Sequence, residues 1–260
     1  MSFTIDLEGR RALVTGAGQG VGLGIARTLA QAGAVVAVND IRAAQADIVV
    51  DELRTAGYKA DALPFDVTDW AQVSAAIDGY GGVDILVNNA GNAGAEGSML
   101  PSDFLASDPA EWGAFFAVNL FGVMYCTRAA LPSMIEAGWG RVVTIVSDAG
   151  RYGTAKVAPY AAAKAGAAGF CRSIAREMGR HAITVNCVSL STIETPTTAR
   201  PAAGTAEEEE ARRARLRPYV IRRRGTPEDV AGLVAFLSSS HASWITGQTY
   251  AVNGGFTFSL

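Results

Sequence analysis

Short runs of aliphatic and β-branched residues alternate with longer segments of helical periodicity along nearly the whole chain, and this alternation narrows the available folds more than any other feature. The runs are Ala12–Thr15, Val35–Asn39, Asp84–Asn88, Val142–Ser147 and Thr184–Ser189. Apolar at successive positions, they predict strands covered on both faces, as in a parallel sheet. Between them, Gly22–Ala32, Ala43–Thr55, Asp69–Ile77, Pro109–Ala130, Tyr160–Met178 and Pro227–Ser239 predict helices. Thr226 ahead of Pro227-Glu228-Asp229 supplies a cap, a proline suited to a first turn, and acids at the positive end of the helix dipole. The class expected is α/β: a doubly wound parallel sheet with helices on both faces and ligands at the carboxyl ends of the strands. With 260 residues, 49% of them hydrophobic, and neither linker nor repeat, a single domain over residues 1–260 is expected. One stretch stands apart, Ala199–Arg224, where Glu207–Glu210 precedes Arg212, Arg213, Arg215, Arg217 and Arg222–Arg224. Acids followed by bases at helical spacing predict a solvated face; the other reading is a lid over a site, at about residues 192–222.

The bulk chemistry excludes several classes. A net charge of −3 offers no basic field for nucleic acid. The first residues, Met1 to Glu8, contain acids where an export signal needs a basic patch and an apolar run. No stretch reaches the ~18 uninterrupted apolar residues of a membrane span, so a cytoplasmic protein is expected. Cys126, Cys171 and Cys187 are widely spaced, and His181 and His241 are isolated; neither set suggests a disulfide framework or a metal site.

The first run leads into Thr15-Gly16-Ala17-Gly18-Gln19-Gly20-Val21-Gly22 and then a helix. In a Rossmann-type fold such a turn lets a pyrophosphate approach backbone N–H groups at the helix start. The glycine spacing is G-x-x-x-G-x-G, with Val21 in the third position of the commoner G-x-G-x-x-G pattern. Asp40 closes the second run, where an acid accepts hydrogen bonds from the adenosine ribose and repels a 2′-phosphate. Gln19 and Ile41 supply no cation there, so NAD is expected over NADP, although Arg42 lies close by. Asp40 is also a candidate helix N-cap.

Ser147 ends the fourth run, and Tyr160 and Lys164 stand four apart on the following helix, hence on one face. A cation beside a phenol favours its ionised form, toward proton exchange. Alone, the spacing fits better an aromatic ring packed on a lysine stem. Together with the Thr15–Gly22 turn, Asp66-Val67, Asn88-Asn89-Ala90-Gly91, Asn119 and the tail from Thr246-Gly247-Gln248 to Asn253-Gly254-Gly255, however, it resembles the short-chain dehydrogenases/reductases, in their NAD-preferring type, over nearly the whole chain.

The resemblance implies an NAD-dependent alcohol dehydrogenase or carbonyl reductase. In it Tyr160 is the general acid or base, and Lys164 holds the nicotinamide ribose and lowers the phenol's pKa. Ser147 bonds the substrate oxygen, and Asn119 fixes a water in a proton relay. Gly16, Gln19, Gly20, Val21 and Gly22 form the phosphate turn; Asp66 and Val67 border the adenine; Asn88, Ala90 and Gly91 line the nucleotide cleft. Leu190-Ser191 replaces the family's usual Pro-Gly, and beyond it Ile193 and Thr195 are expected at the carboxamide. Asp148 reads as a solvated loop acid, with orientation of a polar substrate as the alternative.

Walls of the substrate site are expected from Asn92–Ala106, Asp148–Ala158 and Thr192–Val220, with Met99, Phe104, Trp139 and Tyr152 as wall or core. The expected substrate is a fairly apolar secondary alcohol or ketone. The alternatives are a 3-oxoacyl thioester reductase, whose arginines after Arg212 would engage an acidic carrier, and a non-catalytic NAD-binding regulator or scaffold. The small residues of Ala161–Gly169 permit close helix approach, and with the resemblance they imply a homo-oligomer, a tetramer.

Overall fold

The computed structural model describes residues 4–91, 102–195 and 205–258. Among these residues seven strands form one sheet: β1 (Arg11–Val14), β2 (Val35–Val38), β3 (Ala60–Ala62), β4 (Ile85–Asn88), β5 (Gly140–Ser147), β6 (Ile183–Leu190) and β7 (Thr249–Val252). Their order is β3-β2-β1-β4-β5-β6-β7, and every pairing is parallel. The chain winds outward from β1 through β2 to β3, then returns to the other side of β1 as β4. That reversal opens a crevice at the carboxyl ends of β1 and β4.

The described residues form eight α-helices, most of them packed on the sheet: α1 (Gly20–Gln31), α2 (Ala43–Thr55), α3 (Trp70–Gly79), α4 (Pro109–Phe116), α5 (Gly122–Ala137), α6 (Ala158–Met178), α7 (Ala206–Leu216) and α8 (Pro227–Ser238). Alternate strand residues feed two cores, as a period of two demands. On one face Val14, Val36, Val38, Val87 and Val143 meet Ile25 and Leu29 of α1, Val49 and Leu53 of α2, and Val234 and Leu237 of α8. On the other, Leu13, Leu86, Val142 and Val185 meet Ile77 of α3, Met134 of α5 and Cys171 of α6. Full burial of each aliphatic side chain contributes roughly 1.5–3 kcal/mol, which is why these runs read as continuously apolar.

All five expected strands and all six expected helices form, with ends displaced by a few residues. β3 and β7 escaped the pattern: β3 is three residues with Asp61 at its centre, and β7 is half-buried at the sheet edge. The fourth expected helix runs on to Ala137 and is interrupted by a π-turn at Ala117–Phe121. By length and composition Pro109–Ala137 would suit a membrane; its apolar side here packs on the sheet through Cys126, Ala130 and Met134. The charged stretch forms α7, begun by a capping box of Thr205 and Glu208. Glu209 pairs with Arg212 and Arg213 at 2.7 and 2.9 Å, as on a solvated face. Residues 196–204 of the expected lid lie outside the described residues.

Candidate active site

The glycine turn is set by sterics. A Cβ on Gly22 would lie 2.4 Å from the Gly16 carbonyl oxygen and 2.5 Å from Asn89 Nδ2, so only glycine lets α1 start this close to β1. Gly16 has φ +62°, and a Cβ there would meet the Ala90 backbone at 2.9 Å. Asn89 clamps the turn, its amide donating to the carbonyls of Thr15 and Gly16 at 2.9 and 3.0 Å. Thr15 Oγ1 in turn accepts the N–H groups of Asn89 and Ala90 at 3.0 and 3.1 Å. α1 opens after Gln19 with Gly20 and Val21 in its first turn, where backbone N–H groups lack intrahelical partners and suit a phosphate.

Asp40 is buried, and its Oδ2 lies 2.5 Å from where a Cβ on Gly18 would sit. Its Oδ1 accepts the Arg42 backbone N–H at 3.0 Å and the Arg42 guanidinium at 3.3 Å. The capping expectation for Asp40 is corrected: α2 starts at Ala43, and its N-cap is Arg42. Ile41 is half exposed beside it. Asp66 Oδ1 ties down Thr68 through its N–H and hydroxyl, both at 2.8 Å, while Val67 packs against Gly122. Asn88 turns its amide inward to Thr127 and Thr144 hydroxyls at 3.1 and 3.3 Å, so its side chain supports the wall from behind.

Gly91 marks the meeting point of two more expected residues. A Cβ on it would lie 3.1 Å from both Asn119 Oδ1 and Lys164 Nζ. Asn119 is fully buried in the π-turn, its Nδ2 donating to the Phe115 carbonyl at 2.9 Å. A π-turn inserts one residue into the helix and redirects the side chain it carries, a frequent device at functional sites.

Ser147 at the end of β5 hydrogen-bonds the Tyr160 phenol from α6. Lys164, one turn on, is buried and donates to the Ile145 carbonyl at 2.9 Å; its Nζ is 5.9 Å from the centre of the Tyr160 ring. Burial pulls the Lys164 pKa down to about 8, with Cys187 opposing. The Tyr160 phenol is raised by burial, against which the Ser147 hydrogen bond works. Desolvation is the larger influence on the phenol, and the Lys164 ammonium here bonds a strand carbonyl.

The expectation for Asp148 is also corrected. Instead of a solvated loop acid, it is 2% exposed and accepts hydrogen bonds from Ser189 Oγ at 2.6 Å, Asn253 Nδ2 at 2.7 Å and Thr257 Oγ1 at 3.1 Å. Leu190, in place of proline, stays in register with Ser147 and Val252, and the chain continues past Ser191 to a bridge between Ile193 and Gly225. Thr195 reaches the glycine turn, its Cγ2 being 3.3 Å from a Cβ built on Gly20. Trp139 lies away from the site, stacked between Arg10 and Arg141 at 3.8 and 4.3 Å ahead of β5. Phe104 stacks on Trp112 at 5.2 Å, and Met99 lies outside the described residues.

The hydrogen-bonding roles of Thr15, Asn89, Asp148, Asn253 and Thr257 go beyond what the sequence led us to expect. Asn89 carried a signal, a second amide ending an apolar strand. Asp148 and its partners carried none, being joined only by the fold.

The cradle of Gly16, Gly18 and Gly22 with a buried acid at its rim fits a dinucleotide, and it adjoins a serine–tyrosine–lysine cluster suited to proton transfer. Together they define a nicotinamide-dinucleotide oxidoreductase. A family model described as enoyl-(acyl carrier protein) reductase matches residues 16–257. The chain is 38% identical over 255 residues to a 3-oxoacyl-[acyl-carrier-protein] reductase of Vibrio cholerae, covering 96% of this chain and 98% of that one. It is 36% identical over 258 residues to the 7alpha-hydroxysteroid dehydrogenase of Escherichia coli K12, covering 98% and 96%. It superposes on a gluconate 5-dehydrogenase of Burkholderia cenocepacia, solved with NADP and tartrate, with a TM-score of 0.87 at 33% identity over 98% of each chain. This chain belongs to the short-chain dehydrogenase/reductase family.

Proposed function

We propose that the protein interconverts secondary alcohols and ketones with NAD(H), Tyr160 serving as general acid and base. The observation that carries this reading is the Ser147–Tyr160 hydrogen bond with Lys164 one turn below, beside the glycine cradle. A bound nicotinamide supplies the hydride acceptor or donor. Ser147 and Tyr160 bind the substrate oxygen from two sides, and the phenol takes or gives its proton. Lys164 and Asn119, which converge on Gly91, pass that proton onward through ordered water and position the ribose. Position and electrostatics are the protein's share of the chemistry.

Asp40 supports NAD over NADP, because a buried carboxylate facing the turn repels a 2′-phosphate. Arg42 is bound to Asp40 and so offsets part of that repulsion. The reading extends to a substrate lid at about residues 192–222 and to a homo-oligomer. α6 buries Ala163, Ala167 and Ala168 on its own sheet and leaves Ala162 and Ala165 outward. Reduction of 3-oxoacyl thioesters is the second reading, favoured by the similarity to the Vibrio cholerae reductase.

A panel of secondary alcohols, ketones and 3-oxoacyl thioesters, followed by reduced-cofactor absorbance with NAD and NADP, tests these readings together. Alcohols with NAD should be turned over most efficiently. Equal or better efficiency with NADP overturns the cofactor assignment, and tight NAD binding without turnover of any compound overturns the enzymatic one in favour of a scaffold. Tyr160→Phe should lose at least about 100-fold in kcat while NAD still binds.

A further inference from the structure

The mechanism gives Asp148 no task, yet it is the most heavily bonded side chain beside Ser147. Both carboxylate oxygens are used: Oδ1 by Ser189, Oδ2 by Asn253 and Thr257, with Arg151 Nη1 3.6 Å from Oδ1. Its backbone N–H donates to the Leu190 carbonyl at 2.9 Å, and its carbonyl accepts the N–H groups of Arg151 and Tyr152 at 3.0 and 2.8 Å. One residue thus joins the end of β6, the turn after β5 and the segment following β7. That segment closes on itself, Asn253 Nδ2 also donating to Thr257 and Asn253 Oδ1 accepting the Gly255 N–H at 3.0 Å. The loop so formed holds Phe256 against Tyr219 at 5.1 Å and edge-on to Tyr152 at 6.0 Å. Three loops at the carboxyl end of the sheet therefore contribute one ring each.

We propose that Asp148 is a positioning residue that pins Asn253–Thr257 to the catalytic strand, so that Tyr152, Tyr219 and Phe256 form an aromatic wall selecting ring-bearing secondary alcohols. The selectivity half rests on the alcohol dehydrogenase reading above; the anchoring half does not. A carboxylate accepts at both oxygens, whereas asparagine accepts at one. In Asp148→Asn the Ser189 hydroxyl can rotate to accept from the new amide, leaving the Asn253 bond in place. Asp148→Ala loses every link.

The test uses the full chain, with NAD+ as hydride acceptor for alcohol oxidation and NADH for the binding measurement. Amide hydrogen exchange across 253–257 should quicken in Asp148→Ala and less so in Asp148→Asn. KM for cyclohexanol should rise on the order of 10-fold in Asp148→Ala and remain near wild type in Asp148→Asn, with the NADH dissociation constant unchanged in both. Phe256→Ala should keep slow exchange at 253–255 and lose the preference for cyclohexanol over 2-propanol. Unchanged exchange in Asp148→Ala overturns the anchor. Quickened exchange with unchanged KM, or an equal loss of NADH affinity, overturns the link to substrate. A wild type that oxidises no alcohol overturns the reaction and the wall, while exchange still decides the anchor.

Discussion

The ammonium of Lys164 lies beneath the Tyr160 ring, bonded to the Ile145 carbonyl and brought to a pKa of about 8 by burial. A lysine in the unfolded chain titrates near ~10.4. Between these values the unfolded chain holds a proton that the native protein has released, so this group's contribution to stability rises with pH across that window. Below the window Lys164 carries a penalty of about 3 kcal/mol, from the size of the shift. Groups with raised values, such as Cys126 and Tyr80 at about 12 each, act in the opposite sense at high pH. The difference between wild type and Lys164→Met isolates the lysine. Denaturant unfolding without cofactor should show wild type gaining on the variant from pH 7.5 to 9.5; parallel profiles would contradict a buried ammonium. At this scale the sequence spoke unevenly. Tyr160 and Lys164 were legible because a helix brings them together locally. Asp148 was not, since its partners Ser189, Asn253 and Thr257 stand 41, 105 and 109 residues away.

The start of α1 and the middle of α8 make a matched pair of elements. Gly22 has the Gly16 carbonyl and Asn89 amide where a methyl would go, whereas Gly232 in α8 has nothing within 4 Å. Gly22→Ala is expected to cost about 1–3 kcal/mol by overpacking and to weaken NADH binding. Gly232→Ala should gain about 0.5–1 kcal/mol from helix propensity. Thermal unfolding and cofactor titration of both variants check the contrast, and equal shifts would refute the steric account. The long buried strands and capped helices were readable because their periodicity is strong. Ala60–Ala62 was not, because three residues with a central acid fall short of any period; neighbouring β2 makes it a strand.

For the whole molecule, the outward small residues of α6, the fully exposed Trp244 and the half-buried edge strand β7 are surfaces that a second copy of the chain suits. Sedimentation at micromolar concentration should show an assembly, with a tetramer expected; a monomer would refute it. The groups proposed for proton transfer sit on β5, α6 and the turn before α5, while the expected walls come from loops. Substrate range and reaction can therefore vary apart from one another. The π-turn at Ala117–Phe121 does not share this freedom. It is one residue more than a regular helix holds, and removing that residue would rotate all of α5 by about 100°, carrying Cys126, Ala130 and Met134 off the sheet. The chain thus carries Asn119 on what amounts to an insertion that the hydrophobic core has made irreversible.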